Sequence, residues 1–382
     1  MSQLQHKAAL VISELFLPTK GGTAVWFDEV YRRLGGKNIH ILTAEVPGSQ
    51  AHDADHPNSI HRVSLTRHWW LRPESLAMYV KLLWRAFAIT LRHPVATLHA
   101  GRVLPEGMVA LLVGRLLRRP VVIYAHGEEI TTWNTPLKQR VLRFVYRHAD
   151  SVVANSRFTR DLLLVRGVDD ARIRLIYPGV DTRRFRPGLE IGDLRRGIGA
   201  GDGKLILSVG RLTRRKGFDQ VIQALPALLE RGIDMHYALI GIGEDEDYLR
   251  RLAADQGVGE RVHLLGHVSP EDLPRWYNAA DVFAMPNREI GGDTEGFGMV
   301  FIEAAACGTP AIAGQAGGTG SAVLDDETGL RIEGADLNQV IEALYRVLGD
   351  EALARRLSRN ALERVQREFA WEAVAEKTRP LL

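Results

Sequence analysis

The chain has 382 residues, 46% apolar and 25% charged, with a single cysteine, Cys307. At roughly 150 residues per domain this predicts two domains of similar size, and the composition excludes collagen-like, disordered and disulfide-stapled proteins and thiolate metal sites, leaving a reducing, cytosolic setting as the best fit. The net charge of +3 conceals an asymmetry, because 24 Lys and Arg stand against 14 Asp and Glu up to Pro178 and 25 against 32 beyond it, about +10 and −7. A basic half points to an anionic partner, and the absence of RNP-like aromatics, zinc-finger spacing or a recognition-helix pattern sets nucleic acid aside.

The first element is a strand, AALVIS from Ala8, rather than a signal peptide, since Glu14 and Pro18 interrupt the apolar run and no small-residue cleavage pattern ends it. Gly21 and Gly22 follow, ahead of a helical pattern. There the backbone can approach a ligand and the helix start offers free N–H groups to an anion; a plain strand-to-helix turn has the same sequence. Further strands read IHIL, ATLHA, VVIYA and SVVAN. Between IHIL and ATLHA, residues 67–92 set Trp69, Trp70, Tyr79 and Trp84 among Arg67, Arg72, Lys81, Arg85 and Arg92. This mixture suits an anionic lipid interface, the alternative being a core helix with inward tryptophans and snorkelling cations. Lys81 and Arg85 also break the longest apolar stretch, so no transmembrane helix is expected. After VVIYA come His126, Gly127, Glu128 and Glu129. A strand-end histidine can touch a substrate hydroxyl or stabilise developing charge, and Glu129, or alternatively Glu128, is expected to line the acceptor side.

Residues 178–203 concentrate Pro, Gly and charge and mark the domain boundary. Beyond it LILSVG, HYALIG, RVHLLG, DVFAMP and PAIAG alternate with helical patterns. Continuous apolar strands separated by helices describe parallel sheets covered on both faces, hence two α/β domains in series, with a cleft between them as the natural ligand site. In RLTRRKG, Arg211 falls just past a strand end and Lys216 five residues on. Two cations so placed can clamp a diphosphate and stabilise it as it leaves; a solvated basic turn is the plainer alternative. In EGFGMVFIE, Glu295 lies in a glycine-loosened loop and Glu303, eight residues on, more than a turn into a helix, so the two carboxylates can meet different hydroxyls of an extended sugar nucleotide. Paired acid and base catalysis and a dipole-favoured helix start are the competing readings. Gly241 and Gly243 begin a dinucleotide fingerprint that Glu246 breaks. The carboxylate pairs Asp53/Asp55 and Asp245/Asp247 could hold Mg²⁺ or Mn²⁺, yet Arg211 and Lys216 already offer charge neutralisation, so no metal is required.

The GG loop, HGEE, YPGVDTRRFRP, GRLTRRKG, the segment from Glu295 to Glu303 and GTPAIAG occur in this order over essentially the whole chain. Together they resemble the retaining glycosyltransferases of family 4 with the GT-B fold, and HGEE is also similar to the stretch in phosphatidylinositol mannosyltransferases. The resemblance implies an α/β protein of two Rossmann-like domains with parallel sheets facing a deep cleft. Residues 1–180 would form an acceptor domain, 200–362 a nucleotide-sugar domain, and a last helix over 363–382 would pack back on the first. It implies that Gly21 and Gly22 approach the diphosphate and acceptor, that Arg211 and Lys216 bind the phosphates, that Glu295 holds donor-sugar hydroxyls and that Glu303 holds the ribose. His126 would contact the sugar at the reaction centre, Gly296, Phe297 and Gly298 would bring main chain to the donor, with N–H groups from the last two, and the main chain near Val268 would meet the base.

The implied reaction moves a hexose of mannose or glucose type from a UDP- or GDP-sugar to a lipid-linked or membrane-adjacent acceptor, with an α linkage, without cofactor or metal. The departing phosphate would take the acceptor proton on the same face. The partners implied are the donor, the glycan or lipid acceptor and an anionic membrane met by the basic N-terminal domain at its cytosolic face. A sugar-nucleotide 2-epimerase of the same fold and an NAD-dependent oxidoreductase are the alternatives.

Overall fold

The computed structural model describes residues 8–19, 21–65, 76–133 and 135–382. The chain divides into two units, Met1–Pro178 together with Trp371–Leu382, and Gly179–Ala370.

The first unit is built on seven strands, β1 Ala8–Ile12, β2 Ile39–Ala44, β3 Ser59–Val63, β4 Val95–Ala100, β5 Val121–Ala125, β6 Ser151–Ala154 and β7 Ile173–Leu175. They lie in the order β3-β2-β1-β4-β5-β6-β7 with parallel pairing throughout. Every residue of β1 and β5 is buried, as continuous Val/Ile/Leu/Ala runs require when helices cover both faces. Leu10, Leu98, Ile123 and Val152 of the sheet pack with Leu82, Ala86, Val109, Val113, Leu142 and Val145 of the helices, each large side chain contributing about 1.5–3 kcal/mol on burial.

The second unit carries β8 Lys204–Val209, β9 Met235–Ile240, β10 Val262–Gly266, β11 Val282–Met285, β12 Ala311–Gly314 and β13 Gly329–Ile332. Their order is β10-β9-β8-β11-β12-β13, again parallel. In each sheet the strand order reverses once, between β1 and β4 and between β8 and β11. In open parallel sheets the crevice outside the strand ends at such a reversal is where ligands bind.

The boundaries differ from the sequence expectation at both ends of the second unit. The stretch from Gly179 belongs to that unit, tied to it by Val180 N–H on Phe369 O at 2.8 Å and by Leu189 N–H on Asn278 Oδ1 at 3.2 Å. The chain rejoins the first unit at Trp371 rather than Glu363. The helix Glu351–Arg364 stays with the second unit because the buried Arg364 guanidinium donates to the carbonyls of Ser321 and Ala322. The following helix, Trp371–Thr378, packs on helix Gly22–Tyr31, buries Trp371, and leads to Leu381, whose carbonyl accepts from His99 Nε2 at 3.1 Å.

Candidate active site

The reversal point of the second unit gathers the loops after β8, β11 and β12. Gly217, between Lys216 and helix Phe218–Glu230, is left-handed at φ 76°, and a Cβ there would run into the Pro286 carbonyl at the end of β11. That close approach sets Lys216 beside the loop carrying Glu295. Glu295 is itself held by its carbonyl, which accepts from Gly318 N–H at 2.7 Å, and Gly317 at φ 72° leaves no room there for a side chain.

The resulting cluster has Lys216 Nζ 2.5 Å and Arg215 Nη1 2.9 Å from Glu295 Oε2, with Arg215 Nε 3.0 Å from Asp293. Burial alone would push the Glu295 carboxyl up, but Lys216 and Arg215 outweigh it and hold the group at about 2. Its second oxygen, Oε1, accepts no bond among the described residues and remains free for a ligand hydroxyl. With the folded value below the ordinary 4.5, the stability this charge contributes is complete above 4.5 and is lost as pH falls toward about 2. Glu295→Gln is therefore expected to flatten the decline of the urea midpoint over that window; an unchanged acid profile would refute the coupling.

Sequence reasoning coupled Lys216 to Arg211 and gave Glu295 to the sugar alone. In the structure Lys216 and Glu295 meet each other, Arg211 stands exposed outside the ion-pair cluster, and Arg215 is the partner that was missed. Nothing in the run RRK distinguishes which cation turns inward. Gly296, Phe297 and Gly298 lead into helix Met299–Ala306, whose start has no side-chain cap; Phe301 N–H is bonded to the Gly298 carbonyl at 3.0 Å, which leaves the amides of Met299 and Val300 for an anion. Phe297 is buried, its ring edge-on to Phe369. On that helix Glu303 accepts from Tyr277 OH at 2.8 Å, and burial pushes its carboxyl up. Val268 lies half-buried just past the end of β10.

In the first unit the reversal point gathers the loops after β1 and β4, with β5 adjacent. Gly21, at φ 131°, precedes helix Gly22–Tyr31, and the space where its Cβ would point is open. His126 follows β5. Its Nε2 donates to Gly101 O at 2.8 Å, its N–H reaches Glu129 Oε1 at 3.0 Å, and Asn155 Nδ2 caps its carbonyl at 3.0 Å. Burial pushes its pKa down. With Nε2–H committed to Gly101 in the neutral ring, Nδ1 is the atom left to accept from a substrate hydroxyl.

Glu129 is corrected by the structure. It is only 7% exposed and its Oε1 takes both His126 N–H and Tyr146 OH, the latter at 2.6 Å. A buried carboxylate needs such donors, so it fixes the His126 turn rather than lining an acceptor surface. Glu106, fully buried after β4, was missed. Its Oε1 accepts from Glu14 N–H at 3.0 Å, anchoring the β1 loop, and burial pushes it up to about 7. Its signal, an acidic residue opening a helix after a strand, is too common to single out.

One carboxylate of each pair considered for a metal is otherwise engaged. Asp53 is held by Arg62 at 2.7 and 2.9 Å, and Asp245 opens a helix near Arg214. Asp28, His52 and His56 do come together. However, Asn58 N–H donates to His56 Nδ1 at 3.2 Å, which places the ring proton on Nε2, 3.1 Å from Asp28 Oδ1. That is a hydrogen-bonded carboxylate and not a ready imidazole ligand, whose outer nitrogen should itself donate.

Two parallel α/β sheets, each with polar and glycine-rich loops at its reversal point, are the plan of GT-B glycosyltransferases. Over 97% of this chain and 98% of the other, the structure superposes on Anabaena HepE in complex with UDP at a TM-score of 0.82 and 18% identity. It matches a Thermosynechococcus elongatus sucrose-phosphate synthase at 0.76 and 25% identity, covering 98% of each chain. Residues 192–364 match the model of glycosyl transferases group 1, and residues 20–184 that of glycosyltransferase family 4. The chain is 33% identical, over 89% of each sequence, to a Mycolicibacterium smegmatis GDP-mannose-dependent alpha-(1-6)-phosphatidylinositol monomannoside mannosyltransferase. It is 31% identical, over 96% of each, to the protein of that name from Mycobacterium tuberculosis. The chain belongs to the group 1, family 4 glycosyltransferases.

Proposed function

We propose that the chain transfers mannose from GDP-mannose to a phosphatidylinositol-mannoside type of glycolipid, with retention of the α configuration and without a metal. The observation that carries this reading is the likeness to GDP-mannose-dependent phosphatidylinositol monomannoside mannosyltransferases over nearly the whole of both chains. In this reading Lys216 and Arg211 neutralise the diphosphate, Glu295 Oε1 accepts from sugar hydroxyls, Glu303 takes the ribose, and the turn of His126 presents Nδ1 to the reacting sugar. The bond from the anomeric carbon to phosphate breaks, the acceptor oxygen bonds to the same face, and the acceptor proton passes to the departing phosphate oxygen. Cations at the leaving group are what such a step needs.

The test offers GDP-mannose, UDP-glucose and UDP-galactose with and without a phosphatidylinositol mannoside, in the presence of chelator, and reads the product anomer by NMR. Transfer from GDP-mannose alone with an α product is expected. Turnover of a UDP-sugar instead, a β product or loss of activity in chelator would overturn the corresponding part. Donor conversion without acceptor would restore the epimerase reading.

We also infer that the first unit meets an anionic membrane from its surface. No helix among the described residues is long and apolar enough to cross a bilayer. Helix Leu76–Arg92 packs against helix Met108–Leu117, and together they expose Leu76, Val80, Trp84, Leu91, Leu112 and Leu116, with Trp84 69% exposed. Arg85, Arg92 and Arg115 are interspersed, the pairing of apolar and basic residues that favours an anionic interface. Trp69, Trp70, Arg67 and Arg72, which the sequence adds to this segment, lie outside the described residues. Trp84→Glu is expected to weaken sedimentation with anionic vesicles by tenfold or more while leaving the melting temperature in place; unaltered binding would remove this face from the interface.

A further inference from the structure

Helix Met108–Leu117 ends where β5 begins, at the opposite strand end from His126, and there Gly114, Arg115, Arg118, Arg119, Val121 and Asp150 line a cavity of about 350 Å³. The helix closes with Arg119 N–H on the Gly114 carbonyl at 2.8 Å, and Arg118 occupies the left-handed position at φ 53°, ψ 49°. Such a turn ordinarily takes glycine, because a Cβ in that conformation is crowded by the following carbonyl. Among the described residues only Asp326 shares a positive φ without being glycine. A helix dipole favours cations in the last turn, which accounts for Arg115 but not for an arginine where glycine would end the helix as well.

The charges here are unbalanced. The side chains of Arg118 and Arg119 make no hydrogen bond or ion pair among the described residues, and Arg115 reaches only the His148 carbonyl, at 3.5 Å. Asp150, the one carboxylate in the lining, accepts from Val121 N–H at 2.8 Å. Strain held at a single residue is a pointer to function, and guanidinium forks fit phosphate oxygens. On the same helix Leu112 and Leu116 are 53% and 69% exposed, continuing the apolar face described above.

We propose that this cavity seats the phosphate of an anionic phospholipid of the bilayer, gripped by Arg118 and Arg119 while Leu112 and Leu116 enter the interface. The proposal rests on the membrane reading above and adds a particular headgroup site to it.

The test uses the full chain with vesicles of phosphatidylcholine alone and of equal parts phosphatidylcholine and phosphatidylglycerol, comparing wild type, Arg118→Gly and Arg143→Ser. Glycine suits the left-handed position, so Arg118→Gly should fold, with a melting temperature equal to or above wild type. Its affinity for the anionic vesicles should fall by about tenfold or more, as for a lost hydrogen bond to a charged group. Arg143→Ser removes the same charge from an exposed site on helix Pro136–His148 and should cost about fivefold at most, the diffuse effect of one cation near a charged surface. Equal losses for the two variants, or a lowered melting temperature in Arg118→Gly, would overturn the site while leaving the membrane reading standing. Failure of wild type to bind either vesicle would overturn both. Millimolar inorganic phosphate offers the same chemistry without a bilayer; if it raises the melting temperature of wild type but not of Arg118→Gly, and vesicle binding does not depend on Arg118, the cavity is a soluble-anion site and the proposal fails.

Discussion

Lys216→Ala is expected to lower kcat/KM for glycosyl transfer by about two to three orders of magnitude, the scale seen when one preorganised charge stabiliser is removed. Lys216 Nζ sits on Glu295 Oε2, and Arg215 holds the same oxygen. Removing the lysine therefore leaves Glu295 with a cation, and the fold should persist. What disappears is the charge that can follow a phosphate as it departs. Lys216→Arg should recover little, since a planar fork cannot replace a compact ammonium in this geometry. Arg211→Ala should also depress turnover, but through donor affinity, because Arg211 is exposed and outside the cluster. Steady-state kinetics on purified variants with matched melting curves checks this. Near-wild-type turnover in both Lys216→Ala and Arg211→Ala would dismiss the phosphate clamp.

The second large effect is on stability. Gly217→Ala is expected to destabilise the second unit by about 4 kcal/mol or more, in the range that marks a defined steric mechanism. The residue is left-handed at φ 76°, and a Cβ would meet the carbonyl of Pro286, which is backbone at the end of β11 and cannot rotate away. Relief requires moving the loop after β8 away from β11, and that movement carries Lys216 from Glu295. Gly188→Ala is the control. At φ 81° with nothing within 4 Å of its Cβ, it should cost only the left-handed penalty of about 1–2 kcal/mol. Equal denaturation midpoints for the two variants would show that the close approach at Pro286 does not matter.

Ten of the thirteen strands can be read from apolar runs in the sequence, and the three that cannot are β3, β7 and β13. All three lie at sheet edges. A strand with one neighbour is shorter or half exposed: SIHRV is mostly half-buried, IRL has three residues and GLRI has four, one of them Arg331. The glycine loops were legible too, since glycine is needed where backbone turns left-handed or two strand ends meet. Glu129 shows the limit: by its position after a strand it reads as a ligand-facing carboxylate, yet it is buried and accepts from the hydroxyl of Tyr146, 17 residues away.

The sequence by itself determined that the chain folds as two parallel α/β units, and it marked the glycine-rich and charged loops after β1, β5, β8 and β11 as the candidates for ligand contact. Unbroken apolar runs, turn residues and charge spacing are local properties and survive without coordinates. Only the tertiary structure decided which charges meet. Lys216 and Glu295 are 79 residues apart, and they touch because β11 lies beside β8 in the sheet order, a pairing no local pattern encodes. The same holds for Glu106, whose buried carboxyl anchors the loop after β1 from 92 residues away. Low-dielectric surroundings make such long-range partners decisive, because a buried charge without one is far costlier than any local propensity.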